Sequence, residues 1–246
     1  MSAPVPYCGL PPGPEELALR WNLDPVLMVA LAGVLAVYLW RARRAPRARI
    51  AAFCGGWTVA AVALISPLCA LSVALFSARI GQHMILTLVA APLIALALPL
   101  ERRAHPLLAA LTFTLLLWFW HAPAPYAATF ASPVIYWLMH LTLIGSAIWL
   151  WAELLDPRPA ATRLAAAAIS MIQMGFLGAL LTLAPRALYA PHQLTTAAWG
   201  LTPLQDQQLG GALMWAPGGL VFLAVALVIG RRWMAEPPAA SLQAAE

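Results

Sequence analysis

The chain has 246 residues, of which 63% are hydrophobic and only 9% are charged. Soluble domains carry roughly 25% charged residues, so the composition excludes an ordinary soluble domain and favours an integral membrane protein. All fourteen basic residues are arginines, and the net charge is +5. Because these arginines lie in short segments between apolar runs, they indicate membrane topology and give no reason to expect a nucleic-acid partner.

Seven apolar runs follow one another along the chain; several are shorter than the roughly 20 residues of a perpendicular span, but about 17 suffice with interfacial flanks. The runs are 25–40, 50–66, 82–100, 107–120, 134–151, 164–184 and 207–230. The sequence therefore predicts an all-α bundle of seven transmembrane helices over residues 25–233. Residues 1–24 are expected to form an outer tail, 67–80 an outer loop or re-entrant segment, and 234–246 a disordered cytoplasmic tail.

Arginine counting orients the predicted bundle. Eleven arginines fall on one side of the seven runs and three on the other. Positively charged loops remain in the cytoplasm, so we expect the N-terminus outside and the C-terminus inside the inner membrane of a bacterium. This orientation places Arg20, Arg79 and Arg186 on the outer side.

The same orientation brings several polar side chains to the outer side. His83, His121, His140 and Asp206 lie at or near the outer ends of four runs, and His192 lies in the last outer loop, whereas His105 is cytoplasmic. Ionisable residues within spans usually face the bundle interior and have partners. Imidazole is the commonest metal ligand, and a carboxylate can complete such a site. His83, His121, His140 and Asp206 are therefore the predicted metal ligands.

Methionine thioethers near these residues favour copper as Cu(I). Met84, Met214 and His192 are weaker candidate ligands, and Met139 and Met174 are further thioethers in the region. Simpler interpretations remain open: interfacial histidines, methionines that only fill the core, a solvated His192, and Asp206 as the N-terminal cap of the seventh span. If the metal site exists, we expect His140→Ala to abolish copper binding.

The three cysteines have no paired spacing, so no disulfide framework is predicted. Cys8 in the outer tail and Cys69 in the outer loop are weak candidates for thiols that deliver metal, whereas Cys54 is expected to pack in the second span. On this basis, Cys8→Ser is expected to be silent.

Four segments resemble the multi-span CtaG-like cytochrome c oxidase assembly factors. They are 82–93, the run Trp120-His121-Ala122-Pro123 followed by Tyr126, the region of His140 that closes on Trp149 and Trp151, and 206–218. The resemblance covers roughly residues 50–230. It implies a membrane protein that helps to build a haem–copper oxidase and handles copper through His83, His121, His140 and Asp206. Where the family often has a further His and Met, this chain has Arg79 and Ile80.

Four functions remain to be weighed. The first is a copper-binding assembly factor that passes copper to an oxidase subunit, and the second is a metal-free scaffold for such subunits. A metal-dependent intramembrane enzyme ranks last, since there is no HExxH pair and no nucleophile–base motif. Haem binding through two histidines is possible in principle, but haem is not expected. The sequence thus predicts a non-enzymatic assembly factor whose partners are oxidase subunits and the lipid bilayer.

Overall fold

The computed structural model describes residues 5–98, 105–156 and 160–235, and none of these residues is in a strand. Nine helices follow in chain order within these ranges. They are α1 Pro25–Arg41, α2 Arg47–Ile65, α3 Leu68–Ala74, α4 Phe76–Ala97, α5 Pro106–His121, α6 Pro123–Ala131, α7 Pro133–Leu154, α8 Ala160–Leu183 and α9 Pro203–Ala235. Short 3-10 turns at Leu17–Leu19, Ala190–His192 and Ala197–Trp199 complete the described structure.

The predicted all-α class is confirmed, and the apolar helices indicate a multi-pass membrane protein. Among the described residues, five helices (α2, α4, α7, α8 and α9) are long and apolar enough to cross a membrane, and the bent pair α5–α6 makes up to six. Helix α1 is apolar but has only 17 residues. Aliphatic side chains such as Val29, Leu115 and Leu227 point outward from the bundle, as expected where lipid replaces water. The count of seven spans and their orientation remain predictions.

Helix α8 packs mainly against α5 and α9. Its inward face is built from small and medium side chains such as Ala166, Ala167 and Leu177, which are fully or nearly fully buried. Helix α4 packs against α2, α3, α7 and α9, so it occupies the other half of the core. The candidate site lies where α4, α5, α7, α8 and α9 meet.

The segment 67–80 is largely helical, so the prediction of a loop there is wrong, whereas a re-entrant segment stays a prediction. Helix α3 begins directly after Pro67, a single extended residue at Leu75 follows, and α4 starts at Phe76 rather than at residue 82. The start of α4 is held by a side chain from α9, as described below. No local pattern in 67–80 could reveal a cap that comes from the other end of the chain.

Prolines shape three of the spans, as their sequence positions suggest. Ala122 is extended before Pro123, and the axes of α5 and α6 differ by 71° at this break. Helix α4 contains a π-helical turn at Ile85–Ala90 just before Pro92, and α9 contains one at Met214–Gly218 around Pro217. Proline lacks the backbone donor of a regular turn, so the ladder widens locally at both places.

Residues 5–24, which we call the covering segment, lie across one end of the bundle, which we call the covered end. The backbone N–H of Asn22 donates to Ile65 O at 2.8 Å, and the Trp199 indole donates to Pro12 O at 3.2 Å. The predicted arginines Arg102, Arg103 and Arg158 lie outside the described residues. The predicted tail 234–246 does too, except for the last two residues of α9.

Candidate metal site

Three of the predicted ligands meet at the covered end. His83 is two turns into α4, His121 is the last residue of α5, and His140 is two turns into α7. The ring centroids of His83 and His140 are 5.2 Å apart, and those of His83 and His121 are 6.3 Å apart. All three side chains are buried. The fold therefore gathers three imidazoles from three helices around His83.

The hydrogen bonds of two rings define their tautomers. Nδ1 of His121 is 2.6 Å from Leu117 O, and Nδ1 of His140 is 3.1 Å from Tyr136 O. A carbonyl oxygen only accepts, so each Nδ1 carries the proton and each Nε2 keeps a lone pair. Nε2 of His140 is buried without a partner, as are both nitrogens of His83. Unpartnered buried nitrogens are unfavourable, and they are free to coordinate a ligand.

A small cavity of about 10 Å³ lies beside His83 and His121. This volume is close to that of one water-sized occupant. Three thioethers line it together with the two imidazoles, from Met84 on α4, Met174 on α8 and Met214 on α9. Two imidazoles and three thioethers form a donor set whose softness suits Cu(I) rather than a hard divalent ion.

Gly218 allows the methionines to approach one another. A Cβ atom at Gly218 would lie 2.5 Å from Sδ of Met174 and 3.0 Å from the terminal carbon of Met84. The two π-helical turns also border the cavity: the turn in α4 begins immediately after Met84, and the turn in α9 begins at Met214. Such turns occur frequently at functional sites, because they change the direction of the adjacent side chains.

Imidazoles and carboxylates alone do not supply enough ligands for a metal site here. Within the described ranges, no group of three or more His, Cys, Asp or Glu side chains is arranged to hold a metal ion. A metal at this position would therefore depend on the thioethers. His140 does not line the cavity, although its ring is near that of His83. Copper fits the residues present if His83 and His121 act with the methionines.

Asp206 lies apart from the histidines and has a different set of partners. It is fully buried, and it accepts hydrogen bonds from Phe76 N at 2.6 Å, Ser77 N at 3.1 Å and Ser77 Oγ at 2.5 Å. These donors stand at the start of α4, where backbone N–H groups lack partners within the helix. Helix α9 has its own cap, Thr202, which forms a capping box with Gln205. Asp206 thus caps α4, not the span that contains it.

Arg79 is buried one turn before His83 on α4. Its guanidinium carbon lies 4.4 Å from the ring centroid of Phe130, 5.1 Å from that of Tyr126 and 5.6 Å from that of Tyr136. Nη2 donates to Thr129 Oγ1 at 3.0 Å. The arginine is therefore held in an aromatic cage, where the sequence marked only a departure from the family pattern.

His192 does not join the cavity, and the interpretation that it is solvated is wrong. Its side chain is buried, with Nε2 2.7 Å from the Tyr126 hydroxyl and Nδ1 3.3 Å from Ala74 O. Burial, and secondarily the charge of Arg79, lowers the pKa of His192 to about 3. The ring is therefore neutral and ties the loop before α9 to α3 and α6.

Cys8 and Cys69 form a disulfide, so the expectation of no disulfide is wrong. Their Cα atoms are 5.5 Å apart across a sequence separation of 61. The Tyr136 hydroxyl lies 3.4 Å from Sγ of Cys8, and the Tyr136 ring centroid is 4.3 Å from that of His140. The disulfide therefore anchors the covering segment directly above the histidines, and neither cysteine is a free thiol. The predicted topology placed both cysteines on the outer side, and this shared side was the signal in the sequence for their pairing.

Tyr7 strengthens the attachment of this covering segment. Its ring stacks on Tyr136 at 4.8 Å, and its hydroxyl donates to Asp24 Oδ2 at 2.5 Å. Burial and the Asp24 carboxylate raise the pKa of Tyr7 to about 12. Asp24 in turn accepts from Val26 N at 2.9 Å and caps α1, so the covering segment and the first helix are joined by one carboxylate.

The sequence model of the cytochrome c oxidase caa3 assembly factor family (Caa3_CtaG) matches residues 32–236. The chain belongs to this family. The match confirms the resemblance seen in the sequence, and it makes association with an oxidase the expected context of the protein. The matched range contains His83, His121, His140, Arg79 and all three methionines of the cavity. No curated protein and no solved structure matches the chain.

Proposed function

We propose that the protein binds Cu(I) in the cavity beside His83 and His121 and passes it to a subunit of a cytochrome c oxidase during assembly. The family supports the assembly role. The observation that carries the copper role is the convergence of two imidazoles and three thioethers on a space the size of one atom. The role is that of a carrier, so no catalytic group is assigned.

The hydrogen bonds of the histidines suit this role. Metal-binding histidines usually donate from one ring nitrogen to a carbonyl or carboxylate, which orients the other nitrogen toward the metal. The carbonyl of Leu117 holds His121 in this way, and that of Tyr136 holds His140. His83 has no such partner at either nitrogen. Its ring lies between the other two, and we propose that it can turn toward His121 or toward His140 as copper moves.

The proposed location of the site is the outer side of the bacterial inner membrane, with seven spans and a cytoplasmic C-terminus. Helix α1, although only 17 residues long, is apolar and is followed by the arginine-rich turn before α2. The Cys8–Cys69 disulfide supports this orientation, because disulfides persist in oxidising compartments such as the periplasm.

Copper stoichiometry tests the proposal. The full chain, purified in detergent, is incubated with Cu(I) under anaerobic conditions against a chromophoric Cu(I) chelator, and bound copper is measured by mass spectrometry. We expect about one Cu(I) for each chain in the wild type and a loss of at least tenfold in affinity for His83→Ala and His121→Ala, because ligand groups are removed. His140→Ala is expected to weaken binding less, since His140 lies outside the cavity, and this replaces the sequence-based expectation that His140→Ala abolishes copper binding.

His105→Ala is the matched control, because His105 is exposed and caps α5 far along the helix from His121. It should keep the copper affinity of the wild type. Unchanged copper binding in both His83→Ala and His121→Ala would overturn the proposed site. A wild-type protein that binds no Cu(I) would overturn the copper role itself and leave the assembly family intact.

A metal-free scaffold is the second candidate, and one feature favours it. A cavity of about 480 Å³ opens beside α1, lined by apolar side chains that include Leu27, Leu31, Trp57 and Ile144. Loosely filled space between α1 and its neighbours could accept an apolar segment of an oxidase subunit. Co-purification of that subunit with both the wild type and a copper-free variant would support this function.

A further inference from the structure

Arg79 places a permanent positive charge next to the proposed copper cavity. Arginine keeps its proton in proteins, so this charge does not depend on pH. Arg79 and His83 are four residues apart on α4, which puts them on the same helix face about one turn apart. The Tyr136 ring lies 5.6 Å from the guanidinium and 4.3 Å from the ring of His140, which in turn lies 5.2 Å from the His83 ring.

No carboxylate among the described residues lies within 4 Å of this guanidinium. Asp206 belongs to the same end of α4, but its oxygens accept from the backbone and hydroxyl groups of Phe76 and Ser77. Nε of Arg79 is buried without a partner. Three aromatic faces and the Thr129 hydroxyl contact the guanidinium, which forms no ion pair within 4 Å among the described residues.

We propose that Arg79 is the specificity-determining residue that excludes divalent cations from the cavity and leaves it selective for Cu(I). This inference rests on the proposed copper-binding function. The repulsion between a fixed charge and an ion is proportional to the charge of the ion, so a divalent ion is opposed twice as strongly as a monovalent one. At a separation of roughly 6–8 Å and an effective dielectric constant of about 20, the difference corresponds to roughly 30- to 100-fold in relative affinity.

The thioethers and the arginine then act on different properties of the ion. Thioethers discriminate by softness, and they still leave imidazoles that bind Zn²⁺ well. A buried guanidinium discriminates by charge alone, and it also repels Cu(I), which lowers the affinity for the cargo. A carrier that must release its ion tolerates this loss, whereas a permanent metal centre gains nothing from a cation as its neighbour.

The test compares two ions that differ in charge but share a filled d shell, Cu(I) and Zn²⁺. Their dissociation constants are measured by competition with chromophoric chelators on the full chain in detergent, for the wild type, Arg79→Met, Arg79→Gln and Arg79→Lys. We expect the Zn²⁺-to-Cu(I) ratio of dissociation constants to fall at least tenfold in Arg79→Met and Arg79→Gln. Arg79→Lys keeps the charge and should keep the ratio of the wild type.

The ratio separates charge selection from structural damage, because a distorted cavity weakens both ions together. Arg79→Gln keeps a donor for Thr129 and serves if Arg79→Met fails to fold. An unchanged ratio in the neutral variants, or a wild type that binds Zn²⁺ as tightly as Cu(I), overturns the inference while the copper site stands. A wild type that binds Cu(I) in no measurable amount overturns the proposed function, and with it the selectivity.

Discussion

Two buried polar clusters lie at the covered end of the bundle, and they differ in how their hydrogen bonds are satisfied. Around Asp206, each carboxylate oxygen accepts from a donor at the start of α4. Around His83, buried ring nitrogens have no partner. Since unsatisfied buried polar groups destabilise a fold, the first cluster stabilises the structure and the second is tolerated for another purpose. The contrast separates a structural carboxylate from candidate ligands that the sequence placed in a single set.

The sharpest test of this contrast is Asp206→Ala. The substitution leaves two backbone N–H groups and one hydroxyl buried without an acceptor, so we expect the free energy of unfolding to fall by about 3 kcal/mol or more. Unfolding is followed by helical circular dichroism during SDS titration in mixed micelles. Asp24→Ala is the comparison, since half-buried Asp24 also caps a helix and accepts from the Tyr7 hydroxyl, and it should lose only about 1–2 kcal/mol. Equal losses of unfolding free energy in Asp206→Ala and Asp24→Ala would contradict the special structural role of Asp206.

The Cys8–Cys69 disulfide holds the covering segment over the histidines. Replacing both Cys8 and Cys69 with serine is expected to lower the free energy of unfolding by about 2 kcal/mol, because the cross-link restricts the unfolded chain. This expectation replaces that of a silent Cys8→Ser. Cys54→Ser is the control, as Cys54 is a free cysteine in α2. If the double variant and the control unfold alike in the SDS titration, the cross-link contributes no stability in the membrane protein.

Close packing between α9 and the start of α4, near Asp206, provides a third test. A Cβ atom at Gly210 would lie 2.6 Å from two ring carbons of Phe76, and that ring is fixed by stacking on Tyr189 at 4.2 Å. Gly210→Ala should therefore lower the free energy of unfolding by about 1–2 kcal/mol. Gly145→Ala in α7 meets nothing within 4 Å and should be neutral or slightly stabilising. A neutral Gly210→Ala would mean that α4 and α9 can separate without loss.

His83→Leu has the smallest expected effect on stability. The variant removes two buried nitrogens that have no partners and keeps an apolar side chain in their place, so the free energy of unfolding should change by less than about 0.5 kcal/mol. The same SDS titration measures it beside Asp206→Ala. A loss as large as that of Asp206→Ala would show that His83 has a structural role, and it would break the comparison on which the metal site is based.

Helix class and the meeting of the three histidines were both foreseen, for related reasons. Long apolar runs in a chain with few charges have to be membrane helices, because only internal hydrogen bonding is tolerated in lipid. Polar side chains at the same depth of neighbouring spans then face the same interior. The sequence predicted that methionine thioethers lie near the histidines. That Met174 lines the cavity depends on the packing of α8 and could not be predicted.

Other features depended on contacts between distant parts of the chain. The start of α4, assigned by sequence to residue 82, depends on the Asp206 carboxylate 130 residues away from Phe76. His192 looked like a loop residue, yet it is buried between Tyr126 and Ala74. Pairing of Cys8 with Cys69 required the covering segment to fold back over the bundle. None of these partners has a periodic signal in the sequence.

The amino-acid sequence by itself determined that this protein is a bundle of membrane helices, that it belongs to an oxidase assembly family, and that four of its five histidines share one end. Hydropathy and the order of motifs are properties of the sequence, so they can be read without knowledge of packing. Only the tertiary structure decided which polar groups are satisfied and which are left free. Hydrogen bonding depends on groups supplied by other helices, so Asp206 became a cap, Arg79 a charge without an ion pair among the described residues, and His83 a ring with neither nitrogen hydrogen-bonded.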